Sequence, residues 1–169
     1  MKRRVLMLFI ILFGALLQMV LPSWPLFGGM KPPILAALVL HYALRRDNRD
    51  MWLAVFAAAI MQDGLEPGSF GPALLAFPAI GILANRIRNE IFVDGLFTQL
   101  FLGAVIGVFC TVVALLIFTA SGQRPFHFGQ TLHRLIGAFL LGMVTLPPVS
   151  HAIIRLEALL PQRRDYGWQ

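Results

Sequence analysis

The amino-acid sequence predicts an all-α integral membrane protein with six transmembrane helices and short central spans. The chain of 169 residues is 58% hydrophobic and only 13% charged, whereas soluble domains carry about 25% charged residues. Its apolar residues are also grouped into six separate stretches, and about 20 apolar residues make one helical crossing. The low charged fraction argues against a soluble globular domain. The high hydrophobicity argues against a disordered chain, because disorder requires low hydrophobicity and high net charge.

The six apolar stretches follow one another in a single polytopic domain, residues 1–169. The first, fifth and sixth are long enough to cross a bilayer unaided, whereas the three central ones are short and are expected to recruit flanking residues. Proline is tolerated at the first position of a helix, so Pro33 and Pro72 predict helix starts. The predicted stretches are Val5–Leu21, Pro33–Leu44, Met51–Met61, Pro72–Ala84, Gly95–Thr119 and Leu132–Ile154.

The positions of lysine and arginine predict the orientation of these spans. With six passes and an inside N-terminus, 11 of the 14 basic residues fall in inside segments, and Lys31, Arg124 and Arg134 fall outside. This is the bias that cytoplasmic loops show, so both termini are expected in the cytoplasm and the net charge of +6 needs no nucleic-acid partner. The basic N-terminus also opens like a signal peptide, but no small-residue cleavage site precedes Trp24, which predicts an uncleaved first helix.

The segment after the third stretch is the first candidate for a functional loop. Asp63 and Glu66 lie at the predicted outer end of the third span. An ionisable group near membrane depth is a functional hypothesis by default. Asp63 either caps the next helix or bonds loop N–H groups where Gly64, Gly68 and Gly71 turn the chain. The alternatives are that it forms a proton or ligand site, or that it holds the loop in shape for a partner.

Residues that carry chemistry in other proteins form no evident catalytic or metal site here. The histidine spacing fits no common zinc motif, and burial with one hydrogen bond is the favoured interpretation. Ser121 and His151 are predicted near opposite membrane faces, too far apart for a nucleophile and its base. Cys110 has no second cysteine with which to form a disulfide. The four histidines are His41, His127, His133 and His151. We therefore expect no enzyme, no cofactor and no metal.

Small residues on the fifth stretch predict close helix packing. Gly103 and Gly107 form a Gly-x-x-x-Gly face that Thr111 extends by one turn, and such a face lets two helix backbones approach closely. Packing within the bundle is the favoured interpretation, and packing against a different protein is the alternative. Pro147 and Pro148 are expected to kink or break the sixth helix. The polar neighbours that could satisfy the freed carbonyls are Thr145, Ser150 and His151.

The order of these features resembles the rod shape-determining MreD family. Pro33 begins a leucine-rich short stretch with Tyr42 near its end, and a later apolar helix ends at Asp63. A glycine-containing loop follows, with Gly68 and Gly71 at the places where the family has glycines. The late proline of the last span is matched by Pro147 or Pro148. The resemblance covers nearly the whole chain in topology.

This resemblance implies a non-enzymatic scaffold of the cell-elongation machinery in the bacterial inner membrane, involved in rod shape and peptidoglycan synthesis. Its expected partners are MreC, MreB and, through them, RodA and its transpeptidase. The family is also similar in fold to the substrate-binding subunits of energy-coupling-factor transporters. That similarity implies an alternative function, namely binding of a vitamin in an outward pocket. The polar candidates for such a pocket are Asp63, Glu66, Gln123, Arg124, His127, Gln130 and Arg134.

Overall fold

The computed structural model describes residues 2–65, 71–88, 95–122 and 128–158, and these residues form an all-helical bundle. An all-α fold is therefore confirmed. A short 3-10 turn at Pro25–Phe27 and an antiparallel bridge between Trp24 and Met30 shape the connection between the first two helices. The helices are α1 (Lys2–Val20), α2 (Ile34–Arg45), α3 (Asn48–Leu65), α4 (Pro72–Ile87), α5 (Leu96–Ala120) and α6 (Phe128–Ala158).

Three of these helices, α1, α5 and α6, are long and apolar enough to cross a membrane. Large apolar side chains also remain exposed on the outside of the bundle, among them Phe97 and Leu116 on α5. A soluble monomer rarely exposes contiguous apolar surface of this kind. The protein is therefore a membrane protein. Other exposed apolar residues are Phe9, Phe13, Leu16, Leu75, Ile82, Phe101 and Val144.

The short helix α2 lies at the centre of the bundle. Every residue from Ile34 to Leu44 is buried, and α2 packs against all five other helices. A helix that is hydrophobic on all sides is expected in such a position. Leu35, Leu40 and Tyr42 are among the largest fully buried side chains of the described residues. The core is therefore organised around α2, the shortest α-helix of the described residues.

Prolines mark helix boundaries in some places and lie inside a helix in others. Pro33 directly precedes α2, and Pro72 is the first residue of α4, as the sequence predicts. In α6 the helix continues through Pro147 and Pro148, so of the two expected effects of these prolines, a kink or a break, the break does not occur. Pro147 and Pro148 leave the backbone carbonyls of Met143 and Val144 without their helical N–H donors. Thr145, Ser150 and His151 were expected to bond these carbonyls, but each has a different partner. Thr145 instead donates to the Leu141 carbonyl, His151 contacts the Pro147 carbonyl, and Ser150 pairs with His41.

Ion pairs and a hydrogen bond join four chain segments at one end of the bundle, called here the Arg46 end. Nε of Arg4 lies 2.6 Å from Oδ1 of Asp50, which connects the starts of α1 and α3. Arg46 after α2 lies 2.6 Å from Glu157 near the end of α6. Arg88 after α4 donates to the backbone carbonyl of Arg46 at 2.9 Å. The opposite end, where α3 gives way to α4, is called the Asp63 end.

Candidate functional site at the Asp63 end

Asp63 is a buried carboxylate that caps the following helix. Its Oδ1 accepts the backbone N–H of Ala73 at 2.9 Å, and its Oδ2 accepts that of Leu74 at 3.0 Å. These N–H groups belong to the first turn of α4, where a helix has no internal acceptors for them. The negative charge also suits the positive end of the helix dipole. Of the roles that the sequence allows, the structure thus shows capping of the next helix.

The glycines of this segment differ in what they do. Gly71 is the residue before α4 and has a φ of 142°, a conformation that favours glycine because a side chain would be strained there. Gly64 lies inside α3, which continues to Leu65. The expectation that Gly64 turns the chain is therefore wrong, because the helix does not end before it. Gly68 and Glu66 lie outside the described residues.

A cavity of about 390 Å³ lies at the Asp63 end, between the α1–α2 connection and the parts of α3 to α6 that are nearest to this end. This volume is within the range of about 300–1,000 Å³ that is typical of ligand pockets. Its polar lining residues come from α1, the α1–α2 connection, α3, α5 and α6. They are Gln18, Ser23, Lys31, Gln62, Asp63, Cys110, Thr111 and Arg134.

The side-chain amides of Gln18 and Gln62 form one edge of this cavity. Gln18 Nε2 donates to Oε1 of Gln62 at 2.9 Å, and Gln18 Oε1 accepts the backbone N–H of Leu35 at 3.1 Å. One amide thereby connects α1, α2 and α3 at the same level. Unpaired amides in a low-dielectric environment are costly. The hydrogen bonds of Gln18 therefore stabilise the bundle, and they also hold Gln18 and Gln62 in fixed positions on the cavity wall.

The α1–α2 connection forms another wall, and two glycines bring it close to α6. The carbonyl group of Phe27 packs directly on Gly137, where a side chain would collide with it. Gly28 has a φ of 70°, and a Cβ at this position would lie 3.0 Å from the Cα of Arg134. The close approach places Lys31 and Arg134 on the same cavity. Lys31 also donates to the Met19 carbonyl at 3.1 Å, which caps the end of α1.

The polar residues proposed from sequence for an outward pocket are only partly brought together. Asp63 and Arg134 line the cavity, and Gln130 is exposed in the first turn of α6 without lining it. Gln123, Arg124 and His127 lie outside the described residues. Sequence reasoning missed Gln18 and Gln62. Gln18 is the one polar side chain between Val5 and Leu21, and that isolation is the signal that could have identified it.

The small-residue face of α5 is covered by α6 of the same chain. A Cβ at Gly103 would collide with the carbonyl oxygen of Gly142, and one at Gly107 would collide with that of Ala138. The Thr111 hydroxyl donates to the Gly107 carbonyl at 2.8 Å. Packing within the bundle is therefore the interpretation that the structure supports. The alternative, in which this face binds a different protein, is wrong because α6 already occupies it.

The described histidines remain separate from this cavity. His41 on α2 is buried, and its Nδ1 lies 2.9 Å from the Ser150 hydroxyl on α6. His151 contacts a carbonyl of its own helix, α6. Ser121, the serine considered with His151 in the sequence, donates its hydroxyl to the Phe118 carbonyl on α5. Among the described residues, no three histidine, cysteine or acidic side chains lie together as metal ligands. His127 lies outside the described residues.

Comparison with family models, with curated proteins and with solved structures finds no match for this chain.

Proposed function

We propose that the chain is a multi-pass protein of the bacterial inner membrane, with all six helices crossing and both termini in the cytoplasm. The two ion pairs and the hydrogen bond described above at the Arg46 end support this arrangement, since they bring together chain segments that six crossings would place on the same side of the membrane. These segments carry the basic residues that the positive-inside rule assigns to the cytoplasm. Arg49 and Arg86 are exposed at this end, where each charge near anionic headgroups is worth about 1 kcal/mol.

The central position of α2 explains how a short helix takes part in a membrane bundle. Its 12 residues make it about 18 Å long, whereas the hydrocarbon core is about 30 Å thick. Because its neighbours enclose it, its ends need not reach the lipid headgroups. Irregular backbone at membrane depth is tolerated where protein surrounds it. The length of α2 is therefore compatible with six crossings.

Within this membrane arrangement, the proposed function is that of a non-enzymatic scaffold of the cell-elongation machinery. The scaffold binds MreC and, through MreC and MreB, acts with RodA and its transpeptidase in peptidoglycan synthesis and rod shape. One observation carries this proposal, namely the Asp63 cap on α4. Asp63 lies in the segment on which the resemblance to the MreD family is based, and its two hydrogen bonds hold the end of α3 against the start of α4. Since α6 covers the Gly103–Gly107 face, the partner contact belongs on other surfaces.

The scaffold proposal is tested by loss of the gene in its own host and by capture of MreC. Loss should round the cells, and the wild-type chain should restore rods and co-purify MreC. Asp63→Ala should reduce both effects, whereas Arg49→Gln, which changes an exposed residue at the other end, should reduce neither. Unchanged cell shape after loss of the gene would contradict the proposal, as would a folded protein that captures no MreC.

A second candidate function is the binding of a small molecule, as in the substrate-binding subunit of an energy-coupling-factor transporter. The specific observation that favours it is the cavity at the Asp63 end, with its mixture of apolar walls and convergent polar groups. A bound molecule would stabilise the native state by mass action. Retention of a small molecule through purification and a rise in Tm when it is added back would support this function.

A further inference from the structure

We propose that the cavity at the Asp63 end binds a single-chain amphiphile with an anionic head group, such as a fatty-acid-like carboxylate. This inference rests on the second candidate function and specifies its ligand class. It is independent of the scaffold function, because the cavity lies inside the bundle. The argument depends on the size of the cavity, the chemistry of its deep part and the charges at its mouth.

The cavity has the size of one short chain. Its volume of about 390 Å³ equals that of roughly 13 water molecules in the liquid, at about 30 Å³ each. Its lining residues on α5 run from Gly107 to Phe118, a separation of about 16 Å at the α-helical rise of about 1.5 Å per residue. The lining therefore extends far enough along α5 for a chain of about ten carbons, given the helical rise of about 1.5 Å per residue.

The buried lining residues of the cavity, called here its deep part, are mostly apolar. Ala36, Ala76, Phe77 and Leu141 line the cavity and are all buried. The buried polar lining residues Asp63 and Thr111 are hydrogen-bonded to backbone groups of the protein. The small alanine side chains leave space that larger residues would fill. Water gains few hydrogen bonds against such walls, whereas an alkyl chain gains contact and loses its own hydration. The deep part thus favours a hydrocarbon chain.

The mouth of the cavity is cationic. Exposed Lys31 and half-buried Arg134 both line it, and the ammonium of Lys31 has three donors, one of which reaches the Met19 carbonyl. Among the described residues, the acidic member of the lining is Asp63, whose two oxygens accept N–H groups of α4, and the helix dipole offsets part of its charge. An anionic head group beside Lys31 therefore meets a cationic partner, with the alkyl chain pointing toward Leu141.

The test compares four probes on the full-length protein in phosphatidylcholine nanodiscs: decanoate, decanol, decylamine and inorganic phosphate. Tm and a binding titration are read from tryptophan fluorescence. Decanoate should raise Tm and bind at least about tenfold more tightly than decanol or decylamine, because hydrogen bonds to charged groups are worth about 1.5–3 kcal/mol. Phosphate alone should have no measurable effect, since it lacks the chain.

Two kinds of variant localise the binding. Ala114→Leu places a larger side chain on the cavity wall, and Ala120→Leu makes the same change at an exposed position of α5 that does not line the cavity. Ala114→Leu should weaken decanoate binding at least about tenfold, and Ala120→Leu should leave it unchanged. Lys31→Gln, at an exposed position, should weaken it roughly tenfold, whereas Arg49→Gln at the opposite end should have no effect. Because Lys31 also bonds the Met19 carbonyl, the Tm of Lys31→Gln without decanoate is measured to show that the fold is intact.

Each contrary outcome overturns a defined statement. Equal binding in Ala114→Leu and Ala120→Leu would show that decanoate only partitions into the bilayer, which overturns the inference. Equal binding of all three ten-carbon probes, lost in Ala114→Leu, would overturn the anionic head group but leave small-molecule binding intact. Stabilisation by phosphatidylglycerol nanodiscs without decanoate, lost in Ala114→Leu, would replace the single chain by a bilayer lipid. No effect of any probe would overturn the inference, whereas the second candidate function is overturned separately, if no small molecule is retained through purification.

Discussion

The carboxylate of Asp63 at the end of α3 accepts the first two backbone N–H groups available after Pro72, those of Ala73 and Leu74, at 2.9 and 3.0 Å. Pro72 itself has no N–H to satisfy, so one buried side chain serves the next two donors of the helix. The contact fixes the exit of α3 and the entry of α4 against each other. It therefore connects the packing of the core with the wall of the cavity.

The first prediction concerns this cap. Asp63→Ala should lower the free energy of unfolding by about 1–3 kcal/mol, because a lost cap costs about 0.5–2 kcal/mol and buried N–H groups left without acceptors add to it. Asp63→Asn keeps one amide oxygen as acceptor and should lie between wild type and Asp63→Ala. Tm in detergent measures the effect. The control Arg49→Gln is at an exposed position and should stay within about 0.5 kcal/mol of wild type; equal effects of Asp63→Ala and Arg49→Gln would contradict the cap.

The second prediction concerns the contact of α5 with α6. Gly103→Ala should destabilise the protein by about 1–3 kcal/mol or more, because its Cβ meets the backbone of Gly142 and overpacking has costs of this size. Gly64→Ala is the matched control, since a Cβ added to this helical glycine would point into open space. That substitution should be neutral or stabilising by up to about 1 kcal/mol. Chemical or thermal unfolding of both variants in the same detergent decides the matter.

The third prediction concerns the buried pair of His41 and Ser150, which joins the central helix to α6 at 2.9 Å. Ser150→Ala should cost about 1–3 kcal/mol, because it removes a hydrogen-bond partner from a buried imidazole. A double-mutant cycle with His41→Leu should give a coupling energy of about 0.5–3 kcal/mol. Strict additivity of the two single variants would show that the contact contributes nothing to stability.

The fourth prediction concerns orientation in the membrane. In a Cys110→Ser background, Ser121→Cys at the end of α5 should react with a membrane-impermeant maleimide added to spheroplasts. Asn48→Cys at the start of α3 should react only after permeabilisation, because α5 ends at the Asp63 end and α3 starts at the Arg46 end. Both native side chains are exposed, so burial does not explain a difference. Labelling of both cysteines from the same side would contradict the proposed six crossings.

The helices themselves follow from local features of the sequence. Apolar runs free of charges predict helices in a membrane, and the prolines at 33 and 72 stand where two helices begin because proline lacks only an N–H that the first turn does not use. Asp63 was a candidate cap because a short acidic side chain before a helix can accept its first donors. These inferences need no knowledge of what lies beside each helix.

The arrangement of the helices was decided only by the tertiary structure. A Gly-x-x-x-Gly face shows that some backbone comes close, but not that it is that of Gly142 on α6. Likewise, the isolated Gln18 carries no information about Gln62, which lies 44 residues further along the chain. The cavity exists because the α1–α2 connection packs on Gly137 while small side chains line the space beneath it. Such contacts depend on how surfaces far apart in sequence fit together, and no local pattern of residues encodes that fit.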